Sequence, residues 1–162
     1  MISRSVRGSN TGWNLEQRIR RGAVAGVLGT VAMTVPILAG QRLGLVTTPP
    51  PVEITANVSR RTALLPDQSS PVFPLLWSSA HLAYGAGAGM VFTIIRDGLP
   101  ARTSLAGLVF GFSVWAVSYL GLVPALDLYP GPTEDARSRE IVMIAAHGVF
   151  GVTVANAAQH LP

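Results

Sequence analysis

Residues 68–95 read QSSPVFPLLWSSAHLAYGAGAGMVFTII, a stretch with no charged side chain unless His81 is protonated. At about 1.5 Å per helical residue this is enough to cross about 30 Å of hydrocarbon, and it predicts a transmembrane helix over about 74–95. Immediately after it, RDGLPAR at 96–102 is a tight charged turn. Such a turn makes the helices on either side antiparallel neighbours. Further uncharged runs predict helices over about 22–45, 103–124 and 140–159.

Between the first two helices, Pro49, Pro50 and Pro51 open a long connection in which Ile54, Val58 and Leu65 recur near helical spacing. Glu53 stands near its start and Arg60 and Arg61 near its end, as the helix dipole favours. A short helix over about 51–65, lying on the membrane surface, is expected. The predicted fold is therefore all-α: an integral membrane four-helix bundle with a surface helix in the first outer connection.

Composition agrees. Nearly half of the residues are hydrophobic and 12% are charged, about half the charged share of a soluble domain. All twelve basic residues are arginines, which excludes lysine chemistry, and the absence of cysteine excludes disulfides, thiolate nucleophiles and cysteine metal sites. The arginines stand at the ends of apolar runs and not along one polar face, so they read as topology signals and not as a nucleic-acid surface. Seven lie in the tail and the 96–102 turn, against five in the two long connections, and five precede the first helix. That places both termini in the cytoplasm of a cell membrane, the inner or plasma membrane. Residues 1–21 form a basic cytoplasmic tail, whose 13–21 portion is either disordered or a short amphipathic helix on the headgroups.

Small residues recur four apart on every long helix: Gly22 and Gly26, Gly85 and Gly89, Gly107 and Gly111, Gly151 and Ala155. In lipid such positions let backbones approach, within the chain or between copies. The halves look alike, Gly22 and Gly26 matching Gly107 and Gly111, while His81, Tyr84 and Gly85 match His147, Phe150 and Gly151. That pattern describes two helical hairpins repeated in the same topology.

His81 and His147 are the ionisable side chains well inside the apolar runs, each about 10 Å below the outer boundary, so the pair is expected at one level. Three roles compete. In a structural role each neutral imidazole bonds Ser118, Tyr119, Thr34 or a backbone carbonyl freed by Pro36. In a transport role the pair is a waypoint for protons or small solutes, with Glu53, Asp127, Glu134 or Glu140 as outer relays. In a cofactor role the imidazoles ligate one haem, with Gly85, Gly148 and Gly151 leaving room for the ring.

No phosphate loop, nucleophile elbow or HExxH is present, and the GxGxG of Gly85, Gly87 and Gly89 lies mid-helix. No enzyme activity, cofactor or metal site is expected. The expectation is a non-enzymatic scaffold or accessory subunit, its partners the lipid bilayer and either further copies or another membrane protein. A small transporter is the rival.

One resemblance sharpens the architecture. Gly22, Gly26, Met33 and Thr34, then Pro50, Pro51, Glu53, Ile54 and Thr55, then His81, Tyr84, Gly85 and Gly89, then Trp115 and Pro124, and finally Ala146, His147 and Gly151 follow one another in an order that resembles the YagU-like group of small four-helix inner-membrane proteins. The resemblance spans 22–157. It implies four spans and leaves function open.

Overall fold

A computed structural model describes residues 12–131 and 134–161. Among them every regular element is helical: α1 (Leu15–Arg42), α2 (Pro50–Thr62), α3 (Phe73–Ile95), α4 (Thr103–Ala125) and α5 (Arg137–His160). Three helices, α1, α4 and α5, are long and apolar enough to cross a membrane. The 23-residue α3 matches them in length and carries no acidic or basic side chain other than His81. Its hydropathy is diluted by Ser78, Ser79, His81 and three glycines.

Local chemistry sets the ends. α1 begins at Leu15, not at residue 22, because Asn14 and Gln17 form a reciprocal capping box. The basic residues 18–21 are thus the first turns of a helix and not part of a tail; the rest of the expected tail, residues 1–11, lies outside the described residues. α1 continues through Pro36 to Arg42. α2 starts at Pro50, where a missing N–H is harmless, and ends where Ala63 turns left-handed at φ 53°. α4 changes pitch, running π-helically over Val117–Leu122 before Val123 and Pro124 resume α geometry. α5 extends beyond the expected 140–159 at both ends.

The long helices pack in the order α3, α1, α5, α4. Glycines make two of these contacts backbone against backbone. A Cβ on Gly89 would lie 2.1 Å from the Gly22 carbonyl oxygen and 2.7 Å from the Gly26 Cα, while one on Gly151 would lie 2.0 Å from the Gly107 oxygen and 2.8 Å from the Gly111 Cα. The α1/α3 and α4/α5 crossings are therefore near copies. They equate Gly22 with Gly107, Gly26 with Gly111 and Gly89 with Gly151. Gly85, facing Gly26, is matched by His147, whose carbonyl oxygen faces Gly111. The sequence match of His81 with His147 is thus displaced by four residues in the structure.

The antiparallel helices α3 and α4 do not pack backbone to backbone, contrary to what the short turn suggested. Phe92 and Phe110 meet edge to face between them with centroids 5.1 Å apart, and Phe110 stacks on Phe150 of α5. These rings fill the middle of the molecule. Towards the α2 end the gap between α3 and α4 stays open.

At the opposite end, Arg18 is 8% exposed and reaches across to α3, donating to the Thr93 carbonyl at 2.7 Å and pairing with Asp97 at 2.8 Å. Thr93 returns a bond to the Arg18 carbonyl. α2 is stapled down at its own end. Asn57 donates to the Leu128 carbonyl, Arg61 to the Leu126 carbonyl and to Asp127, and Arg139 of α5 to Glu53.

Candidate functional site

Where α3 and α4 part, a cavity of about 320 Å³ opens beneath α2. Met33 and Ile37 of α1 form its back, Met143 and His147 of α5 one side, and Pro51, Ile54 and Thr55 of α2 its roof. From α3 come Trp77, Ala80, His81 and Tyr84; from α4 come Trp115, Ser118, Tyr119 and Leu122. The π-helical stretch keeps this α4 stripe continuous, presenting Ser118, Tyr119, Leu122 and Val123 to one space. Tyr84 and Leu122 line the cavity although each is 49% exposed. The mouth therefore opens sideways between α3 and α4.

Five of the residues singled out from the sequence converge here: His81, Tyr84, Ser118, Tyr119 and His147. Thr34 does not. It is exposed and donates to the Thr30 carbonyl, while Thr30 occupies the notch left by Gly85.

None of the anticipated partners holds a histidine. Ser118 shares a 2.6 Å hydrogen bond with Tyr84 across the gap, and the Tyr119 hydroxyl donates to Asp135 at 2.9 Å. His147 Nδ1 bonds the Met143 carbonyl at 2.8 Å. A carbonyl only accepts, so Nδ1 carries the proton and, in the neutral ring, Nε2 is left with a lone pair. His81 makes no hydrogen bond to any described residue.

Two further polar groups in the wall have no partner among the described residues: the Trp115 indole N–H and the Tyr129 hydroxyl are both buried. Each such orphan costs about 1–3 kcal/mol. Burial, outweighing the pull of the Arg139 guanidinium, pushes the Tyr129 phenol up, so it remains an O–H donor. Trp115 and Tyr119 stack on one another with centroids 5.5 Å apart.

Three of the five acidic residues named as outer relays or found beside them, Glu53, Asp127 and Asp135, are tied down, whereas Glu134 and Glu140 pair with no arginine among the described residues. Asp135, with 1% of its side chain exposed, is gripped by Arg139 and accepts from Tyr119. Glu53 pairs with Arg139 at 3.3 Å, and Asp127 with Arg61 at 2.9 Å. No arginine or acidic side chain lines the cavity. The glycines expected to make room for a haem face elsewhere: Gly85 is filled by Thr30, Gly151 by Gly107, and Gly148 lies against Phe112 and Leu108.

Sequence reasoning passed over Trp115 and Tyr129 as site residues. Trp115 was within reach, since it precedes Ser118 and Tyr119 by about one helical turn on the same stripe. Tyr129 lies in the α4–α5 connection, where no periodicity points to it.

Three helices long and apolar enough to cross a membrane, arranged around an apolar cavity with two imidazoles in its wall, define the class: an all-α membrane-type protein with an internal cavity. The chain belongs to DUF6789, a family of unknown function, whose family model matches residues 16–162. Comparison with curated proteins and with solved structures found no match.

Proposed function

We propose that this protein spans the membrane four times and holds a small lipophilic ligand in the outer half of the bundle, serving as a non-enzymatic accessory component of the cell membrane with both termini in the cytoplasm. Support for the fourth span comes from packing. α3 packs antiparallel to α1, with Gly89 against Gly22 and Gly85 against Gly26, which supports a shared crossing of the bilayer. The resemblance in motif order to the YagU-like group is in keeping with four spans.

The observation that carries the binding role is the cavity itself, which reaches both histidines while His81 has no internal partner. A purely structural pair belongs in a filled core with both rings hydrogen-bonded. A proton path is less well supported, because the walls are apolar, Glu53 and Asp127 are engaged by arginines, and the unpaired Glu134 and Glu140 do not line the cavity. An uncharged lipophile matches such walls and can enter from the bilayer through the side mouth.

The chain has no cysteine, so single-cysteine variants report topology cleanly. Ser69→Cys should react with a membrane-impermeant maleimide from outside intact cells, and Gly98→Cys only after permeabilisation. Labelling of both from one side would remove α3 as a span. For the ligand, organic extraction of protein purified in mild detergent should yield a near-stoichiometric lipophile that is depleted in Ala80→Trp, which narrows the mouth. Equal recovery from the two proteins would defeat the binding role.

A further inference from the structure

We infer that the ligand is an uncharged aromatic lipophile bearing a ring hydroxyl, the phenol or hydroquinone class, whose hydroxyl donates to His147 Nε2 and accepts from a neighbouring wall donor. The inference rests on the cavity reading above and adds the chemistry of what fills it.

Charge is the first constraint. No arginine, aspartate or glutamate lines the cavity, and Arg139 is already shared between Asp135 and Glu53. A carboxylate, phosphate or ammonium group would be buried there without a counter-ion, so the ligand is neutral. Shape is the second. Trp77, Trp115 and Tyr119 all line the cavity, and aromatic walls of this kind favour a planar ring, which can stack on them or meet them edge to face, over a branched chain.

Hydrogen bonding is the third and most specific. The bond from His147 Nδ1 to the Met143 carbonyl fixes the tautomer, leaving Nε2 as an acceptor that only a donor satisfies. The unengaged group of opposite sense that the cavity reaches is His81, whose ring can supply an N–H, while the Trp115 N–H and the Tyr129 O–H are sealed behind the wall. A carbonyl-only ligand answers His81 and leaves His147 unanswered, whereas a hydroxyl answers both at once. The side mouth between Tyr84 and Leu122 gives such a molecule a route from the bilayer, where it concentrates by partition.

The test uses the full chain in nanodiscs and two redox-inert probes of nearly equal size, 1-naphthol and 1-methylnaphthalene, with binding measured by equilibrium partition against empty nanodiscs. Wild type should bind 1-naphthol saturably and about tenfold more tightly than 1-methylnaphthalene. His147→Phe should abolish that preference while retaining 1-methylnaphthalene. His81→Phe, which breaks no internal hydrogen bond, should weaken the preference without altering the melting temperature, and it serves should His147→Phe fail to fold. Equal saturable binding of both probes by wild type would overturn the hydroxyl assignment and leave the cavity reading standing. Binding of neither above empty nanodiscs would sink both.

Discussion

Gly26 and Gly85 cross so closely that a Cβ on Gly26 would fall 2.0 Å from the Gly85 carbonyl oxygen. Backbone, not a flexible side-chain end, is what the new atom would meet. Gly26→Ala must therefore push α1 and α3 apart, destabilising the protein by about 1–3 kcal/mol. Gly87 lies on the same helix with nothing near its notional Cβ. Gly87→Ala should leave the melting temperature in detergent unchanged or slightly raised, since alanine is the better helix former by about 1 kcal/mol. Equal losses from the two substitutions would contradict the crossing.

Arg18 ties the start of α1 to the end of α3 through the Thr93 carbonyl and Asp97. The Asp97 side chain is one-third exposed at 34%, which moderates the loss from breaking the pair. Arg18→Ala should cost about 1–3 kcal/mol. Asp97→Asn should cost less, because the Thr93 carbonyl still receives the guanidinium. Urea or thermal unfolding of both variants checks the order.

At the other end, Asp135 is the hub on which Tyr119 and Arg139 depend. Asp135→Ala should destabilise by about 3 kcal/mol, leaving Arg139 with Glu53 alone and the Tyr119 hydroxyl unanswered. Tyr119→Phe should cost about 1 kcal/mol in the wild-type background and close to nothing in Asp135→Ala. A double-mutant cycle with no coupling between the two positions would show that the hydroxyl is not held there.

Tyr129 makes the alkaline limb of stability specific. Its phenol is raised in the folded chain by burial, so the folded state binds that proton more tightly than the unfolded state. The sign follows: its contribution is intact below the ordinary tyrosine value of about 10 and declines as pH rises above it. Tyr129→Phe should lose less melting temperature between pH 9 and about 11 than wild type does. Parallel curves for the two proteins would refute the assignment.

Long uncharged runs, read against a bilayer's thickness, were enough to find every long helix within a few residues, except at the start of α1, which the Asn14 capping box moves from residue 22 to Leu15. Depth and helical period brought His81, Tyr84, Ser118, Tyr119 and His147 to one space. Other features left no local trace. Arg18 looks like any of the arginines that flank an apolar run, and its partner stands 79 positions away. Thr34 was a plausible hydrogen-bonding partner, but it is exposed and donates to the Thr30 carbonyl, while Thr30 fills the Gly85 notch. The histidine match between halves was real as a string of letters. The crossings nonetheless aligned His147 with Gly85, because glycine pairs, not histidines, set the register.

The π-helical stretch of α4 makes the room beneath α2 depend on a count of residues as well as on their identity. Deleting one residue within Val117–Leu122 would restore an ordinary helix, because a π-turn is an α-helix carrying one extra residue, and would leave the residues after it facing as they do now. What would go is the widened turn itself, and with it the extra residue that it adds to the α4 side of the cavity. Among chains that share this fold, a single-residue gap at that place is therefore expected to trim the α4 wall while the rest of the helix keeps its register.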